Sequence, residues 1–294
     1  SAMKPQKTAA KTVKNKTKPA ESEVAVTAGF SLEPVYTALR KRYPAAAQAE
    51  AVAFAADFYK RMESDEFPHH SADEWAALAA DTLEFARARK AGKANVRVFN
   101  PTTKANGWES PHTVLQIVND DMPFLVDSVS MALAEMGVGV HVLGHPLVRF
   151  TRDKAGKVQA VGEGKPESLM LLEIDRLPPD EMAAIEKRIR AVLEEVRAIV
   201  RDWSAMREKM LSLADDMATR RMPVDDDGRR EAQEFMRWAA ADHFTFFGYR
   251  EYRVEKGTGI LAAVEDSGLG LLREGDTTPP RNIKTLAAHY LPQG

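Results

Sequence analysis

The stretch IVNDDMPFLVDSV, Ile117 to Val129, decides how this chain is read. It ends an apolar run that starts at His112, inserts Asn119, Asp120, Asp121 and Pro123, and then resumes with a different period. Leu125, Val129, Ala132, Leu133 and Met136 recur at i, i+4, i+7, i+8 and i+11, one stripe of a helix that Gly137 ends. A strand therefore hands over to a helix through an elbow. Asp121, just before Met122 and Pro123, is placed to cap that helix, since a carboxylate is favoured beside free backbone N–H groups and proline is tolerated in a first turn. The same free amides can receive the carboxylate of an amino acid or a similar small anion. Acid–base catalysis fits Asp120, Asp121 and Asp127 poorly, because a helix N-terminus holds a carboxylate in its charged form. Gly137 and Gly139, at the far end of the helix, would let backbone approach closely.

Outward from the elbow, strand-like text surrounds it. NVRVFN at 95–100 precedes it, followed by a loop through PTTKANGWESP; VGVHVLGHPLVRF, KVQAVGE and SLMLLEID follow it. Pro146 inside the second of these runs predicts a sheet edge or a bulge. Upstream, Ser31 to about Lys93 reads as alanine-rich helix: Ser31 is a candidate cap, Pro44 a break, and Ser71 with Glu74 a capping box. Trp75, Leu78, Thr82 and Phe85 share a face, and Gly92 is the expected stop.

From Pro179 the pattern is the most regular in the chain. Met182, Ile185, Ile189, Val192, Val196, Ile199, Trp203, Met206, Met210, Leu213 and Met217 alternate steps of three and four, a seam sustained for about five heptads. Roughly 38 helical residues reach about 57 Å, longer than a small domain is wide. Part of the seam therefore needs a partner beyond the sheet, either the helix RREAQEFMRWAAA from Arg229, with Phe235, Met236 and Ala239 inward, or another copy of the chain. HFTFFGYREYRV and GILAAVED then read as paired strands, DTTPPRN as a loop, and the ending LPQG as that of an excised fragment.

Composition sets the outer bounds. The 294 residues allow about two domains, and the formal charge is −2. Cysteine is absent, which removes disulfides, thiolate nucleophiles and Cys-ligated zinc and fits a reducing cytoplasm. No apolar run approaches the ~18 residues of a membrane helix. Lys4, Lys7, Lys11, Lys14, Lys16 and Lys18 make the first 29 residues a basic tail with a tag-like SAM start, expected to be disordered; without aromatic or Arg-rich support it does not indicate nucleic-acid binding. His69 with His70, and His141 with His145, are edge or surface histidines rather than metal ligands, since VHVLGHPLV alternates like a strand and helical spacing does not apply. The nearest text to a dinucleotide fingerprint, GLGLLREG at Gly268, has Arg273 at the third glycine position and no helix to open. No catalytic motif is recognisable.

The block SPHTVLQIVNDDMPFLVDSVSMALAEMGVGVHVLGHPLVRFTRD, with VRVFNP before it and DHFTFFGYREYRV after it, resembles the N-terminal region of the large bacterial NAD-specific glutamate dehydrogenases. The resemblance implies an ACT-like, ferredoxin-like α+β module, an antiparallel sheet with helices on one face, that is non-catalytic and carries no cofactor, NAD serving a part of the parent enzyme further along. It implies an effector loop at Asn119, Asp120, Asp121, Met122, Pro123 and Phe124, with Gly137 and Gly139 flanking the next strand. The ACT order places the first strand at His112–Val118, the first helix at Met122–Met136, the second strand near Val140–Phe150 and the third within Lys157–Asp175. The fourth must come from Val96–Phe99 or from FTFFGYREY, and the second helix is much too long for a compact unit.

The expected organisation is a tail at 1–29, a helical subdomain at 30–93, an ACT-like module with its long helix at 94–222, and a helix with a small β region at 223–294 that starts a second module. Two roles are expected of it: a cytoplasmic regulatory and assembly segment that binds an amino-acid effector, or a purely structural oligomerisation module without ligand. The expected partners are a second copy, through a sheet edge or the 179–220 helix, and the catalytic part of the same polypeptide, with no nucleic acid and no membrane.

Overall fold

Continuous burial along TVLQIVND builds the centre of the molecule: this strand is buried on both sides and carries apolar residues toward each. The computed structural model describes residues 31–60, 70–220, 224–254 and 261–273, all but Ser31 within the unit Leu32–Gly294. The tail at 1–29, His69, Pro223, DTTPPRN and LPQG lie outside the described residues.

Three helices come first, α1 (Glu33–Arg42), α2 (Ala45–Tyr59) and α3 (Ala72–Ala86). Pro44 separates α1 from α2, and the Ser71–Glu74 capping box opens α3. Leu32 rather than Ser31 occupies the cap position of α1, with no side-chain bond. Then follow β1 (Asn95–Phe99), a single turn α4 (Thr103–Asn106) inside the expected loop, β2 (Thr113–Asp120), α5 (Leu125–Glu135), β3 (Val140–Gly144), β4 (Leu147–Arg152), β5 (Val158–Val161), β6 (Lys165–Ile174) and α6 (Pro179–Thr219).

The sheet runs β1-β2-β6-β4-β5, antiparallel throughout, and β3 lies beside β6 in line with β4. Pro146 separates β3 from β4, splitting the single strand expected near Val140–Phe150, and β3 shifts register between Val140 and Val142, away from that proline. The ACT strand left open by the sequence is β1, which pairs with β2 from Asn95↔Val118 to Phe99↔Val114. The edge position is thus filled by a strand that precedes the module's first strand in the chain.

Each face of the sheet has its own core. On one, Leu115 and Ile117 of β2 with Met170, Leu172 and Ile174 of β6 meet Leu125, Val129 and Leu133 of α5 and Ile185, Ile189, Val192 and Val196 of α6. On the other, Val114, Val118, Leu169 and Leu171 meet Phe54, Phe58, Leu78 and Leu83 of the first three helices. The period-two alternation of the central strands produces both surfaces. The N-terminal helices thus share a core with the sheet instead of standing apart as a subdomain.

Beyond Val196, α6 leaves the sheet. Its outer half carries α7 (Asp226–Trp238), followed by a π-turn at Ala239–His243 and the short strands β7 (Gly248–Tyr249), β8 (Tyr252–Val254), β9 (Leu261–Ala263) and β10 (Leu269–Gly270). β7 pairs β10 and β8 pairs β9. The expected inward set of α7 is met only in part: Ala239 is buried, while Phe235 is 55 % exposed and stacks loosely with Trp238 and Phe244. Ala214 on α6 is the small residue that lets α7 approach, and Gln233 donates to its carbonyl.

Candidate functional site

Strand β2 does not stop at Val118 as the ACT correspondence expected; it continues through Asn119 and Asp120, paired to Ser168 and Glu167 of β6. What holds it is charge. Past the end of α3, which finishes at Ala86 rather than near Gly92, the chain bends so that Ala88 bridges Lys157 and the Arg89 amide donates to the Gly156 carbonyl. This brings the Arg89 side chain, buried along with Glu167, onto two carboxylates: Nε to Glu167 at 2.9 Å and Nη2 to Asp120 at 2.7 Å. Arg152 of β4 forks onto the same Glu167 at 2.7 and 2.9 Å. From the opposite face, Arg197 of α6 bonds Asp120 at 2.5 Å and the Asn119 side-chain oxygen. The network joins the post-α3 loop, three strands and α6 at one end of the sheet.

Burial alone would raise the Asp120 and Glu167 carboxyls, but hydrogen bonds and charge from their arginines outweigh it and hold both below the ordinary range. Neither is a group poised to shuttle protons near neutral pH.

Because Asp120 is drawn back into the sheet, the elbow turns later than the sequence suggested. The helix starts at Leu125, not Met122, and Asp121 is exposed and does not cap it. The cap position falls to Phe124, in the left-handed region at φ 69°, with no side-chain bond to the first-turn amides. A bulky non-glycine residue there costs about 1–2 kcal/mol. Ser128 is the first α5 residue whose amide finds a backbone acceptor, the Phe124 carbonyl. Beside this uncapped end, Asn119 is fully buried and its Nδ2 has no partner. Met122 is partly buried against the α5–α6 core, whereas Pro123 and Phe124 are exposed. Asp127 lies in the first turn, where its charge suits the helix dipole.

Gly137 and Gly139 are not brought to this place. Gly137, at φ 71°, closes a Schellman turn in which its amide bonds Ala134 and that of Val138 bonds Leu133. Gly139 donates to Asp175 at 2.7 Å. An eleven-residue helix, about 16 Å, separates them from the elbow.

The histidines have other tasks. His141 bonds Asp175 at 2.8 Å and stacks on His112, and His145 bonds Ser168 at 2.5 Å. Among the described residues no group of three or more His, Asp or Glu could hold a metal ion. No described helix is long and apolar enough to cross a membrane.

A second charged junction joins α6 to the small β region. Asp202, buried, accepts from the Gly270 amide at 2.8 Å and from Arg273 through two bonds at 2.7 and 2.8 Å. Hydrogen bonding from Arg273 and Gly270 outweighs burial and holds its carboxyl far below the usual range. Gly270 has φ 58°, and a Cβ on it would come within 2.3 Å of the Phe247 carbonyl oxygen.

Of the arginines and acids of these junctions, Arg89, Arg152, Glu167, Arg197 and Asp202 were not singled out from the sequence, and Arg273 was named only as a departure from a glycine motif. The legible signs were an acid in the middle of an apolar seam, Asp202, and one opening an apolar strand, Glu167.

Against known proteins, residues 54–189 match the family described as glutamate dehydrogenase, ACT1 domain. The chain is 33 % identical over 259 residues to the NAD-specific glutamate dehydrogenase of Halomonas elongata and 32 % over 268 residues to that of Pseudomonas aeruginosa, covering 83 and 87 % of this chain. A relative of the same name from Mycobacterium tuberculosis is 24 % identical over 216 residues. The chain belongs to the NAD-specific glutamate dehydrogenase family, as an N-terminal region carrying the ACT1 domain.

It spans 16 % of the length of the first two relatives. The ACT1 sheet is antiparallel, and its strand-to-helix elbow carries no glycine loop of the kind that cradles a dinucleotide. The glycine pair nearest to a fingerprint, Gly268 and Gly270, is packed against Leu272, Phe247 and Met206.

Two outcomes are expected of the network. Replacing Arg89→Ala leaves Asp120 and Glu167 each with one arginine fewer, so urea denaturation should show a loss of about 3 kcal/mol, against a few tenths for the exposed Arg220→Ala. Since both carboxyls have lowered folded pKa values, the stability they contribute is present in full above about pH 4 and lost as pH falls through those values. Acid unfolding followed by circular dichroism should therefore be shallower in Arg89→Ala.

Proposed function

We propose that this chain is a non-catalytic regulatory and assembly segment of a large cytoplasmic NAD-specific glutamate dehydrogenase. The whole enzyme would convert L-glutamate, NAD and water to 2-oxoglutarate, ammonium and NADH in glutamate catabolism, with chemistry and cofactor in a part of the polypeptide beyond this segment. Its elbow would bind an amino-acid effector, the carboxylate lying on the amides of Leu125, Val126 and Asp127.

The observation that carries the effector reading is the uncapped start of α5 beside a buried, unpartnered side-chain amide on Asn119. Anions are stabilised at such helix ends, and an orphaned buried donor is a cost that a ligand oxygen would relieve. The strained Phe124 is a second sign, because left-handed bulky residues persist where the surroundings over-determine them. Coupling to the rest of an enzyme would run through Arg197, which grips Asn119 and Asp120 from α6. An effector acts by binding one of two arrangements better, and a difference of about 1–3 kcal/mol suffices for a 5- to 150-fold effect.

A structural role has its own support. The outer edge of β3 has no strand partner among the described residues, and Val140 on it is exposed. A free, partly apolar edge is a template for pairing with a second copy.

Thermal-shift titration with the common amino acids tests the first role: one of them should stabilise the chain, and Phe124→Gly should raise the unliganded stability by about 1 kcal/mol while weakening that response. No stabilisation by any amino acid leaves only the structural role. Light scattering tests the second: the mass should rise above 32.6 kDa with concentration and return to it in Val140→Lys.

A further inference from the structure

We infer that a small anion bearing a carboxylate or phosphate group binds in the cleft between α6 and the β7–β10 pair, with Arg201 as its principal contact. The cleft has a volume of about 550 Å³ and opens over α6 where Ala191 and Ala198 leave room between longer side chains. It lies at the second charged junction, away from the helix start at the elbow, and does not depend on the effector reading given above.

The argument is one of surplus charge. Arg197, Arg201 and Arg273 all line the cleft, and the carboxylates they lean on are shared. Asp120 serves Arg89 as well as Arg197, and Asp202 serves Arg201 as well as Arg273. Asp202 is already occupied by two bonds from Arg273 and one from the Gly270 amide. Arg201 consequently meets it only through Nε, at 3.3 Å, and its two Nη groups make no further hydrogen bond among the described residues. Two acids also line the cleft, Glu194 and Glu195, and each is engaged elsewhere, Glu194 by Lys93 and Glu195 by Arg188. A guanidinium so left presents a planar fork suited to two oxygens of one carboxylate or phosphate.

An occupant there would touch both α6 and β10, joining the ACT1 module to the β region that follows. Arg197 lines this cleft while holding Asn119 and Asp120, so the cleft and the elbow share one side chain.

The test is calorimetric and thermal-shift titration of the chain with inorganic phosphate and with succinate at constant ionic strength. Saturable stabilisation by at least one probe is expected, weakened about tenfold or more in Arg201→Gln and only partly recovered in Arg201→Lys, which keeps the charge and loses the fork. Response to phosphate alone or to succinate alone identifies which anion class the cleft takes. Hydrogen exchange should show new protection at 191–201 and 269–273. No saturable response to either probe, an undiminished response in Arg201→Gln, or protection confined to 122–128 overturns the inference. Arg201 is half-exposed, so its replacement should leave the circular dichroism spectrum and the amino-acid response at the elbow unchanged.

Discussion

The structure depends on keeping two carboxylates, Asp120 and Glu167, charged at the end of a sheet whose central strands are mostly apolar. Each is gripped by two arginines, and Arg89 bridges both. A buried ion pair is weak evidence for stability, because desolvation offsets much of its Coulomb gain. What this one contributes is placement. It adds side-chain bonds among the post-α3 loop, three strands and α6 to the backbone pairing of β2, β6 and β4, and removing Arg89 takes one cation from each carboxylate.

That placement has consequences for the elbow. With Asp120 held in register opposite Glu167, the strand is longer and the helix shorter than a cap at Asp121 would allow. The chain makes up the difference through Phe124 in a left-handed conformation, leaving the first amides of α5 without a side-chain cap. A constraint in the sheet thus creates the unsatisfied donors that make the elbow a candidate site.

Helix α6 carries the same logic outward. Its first half is a core element, with Ile185, Ile189, Val192 and Val196 against the sheet. Its second half is long because it supports α7 and the small β region, which it holds through Asp202 rather than through a continuous apolar seam. A two-stranded ribbon such as β7–β10 is marginal by itself, so docking to α6 is what gives it order. One helix therefore touches the elbow, the cleft and the following region.

Much of this was legible in the residues. The elbow, the helix stop at Gly137, the capping box at Ser71 and the long helix from Pro179 are local features, set by backbone preferences and by periodicities of two and 3.6 within a few residues of one another. The family could be named from the block around the elbow for the same reason. Which strand fills the fourth ACT position, where β2 ends, and which acids meet which arginines were decided only in three dimensions. Arg89 and Glu167 lie 78 residues apart, and Arg197 and Asp120 lie 77. No local pattern encodes such pairs, because their partner choice is made by the packing of α3, β6 and α6 and by the low polarity of the space they share.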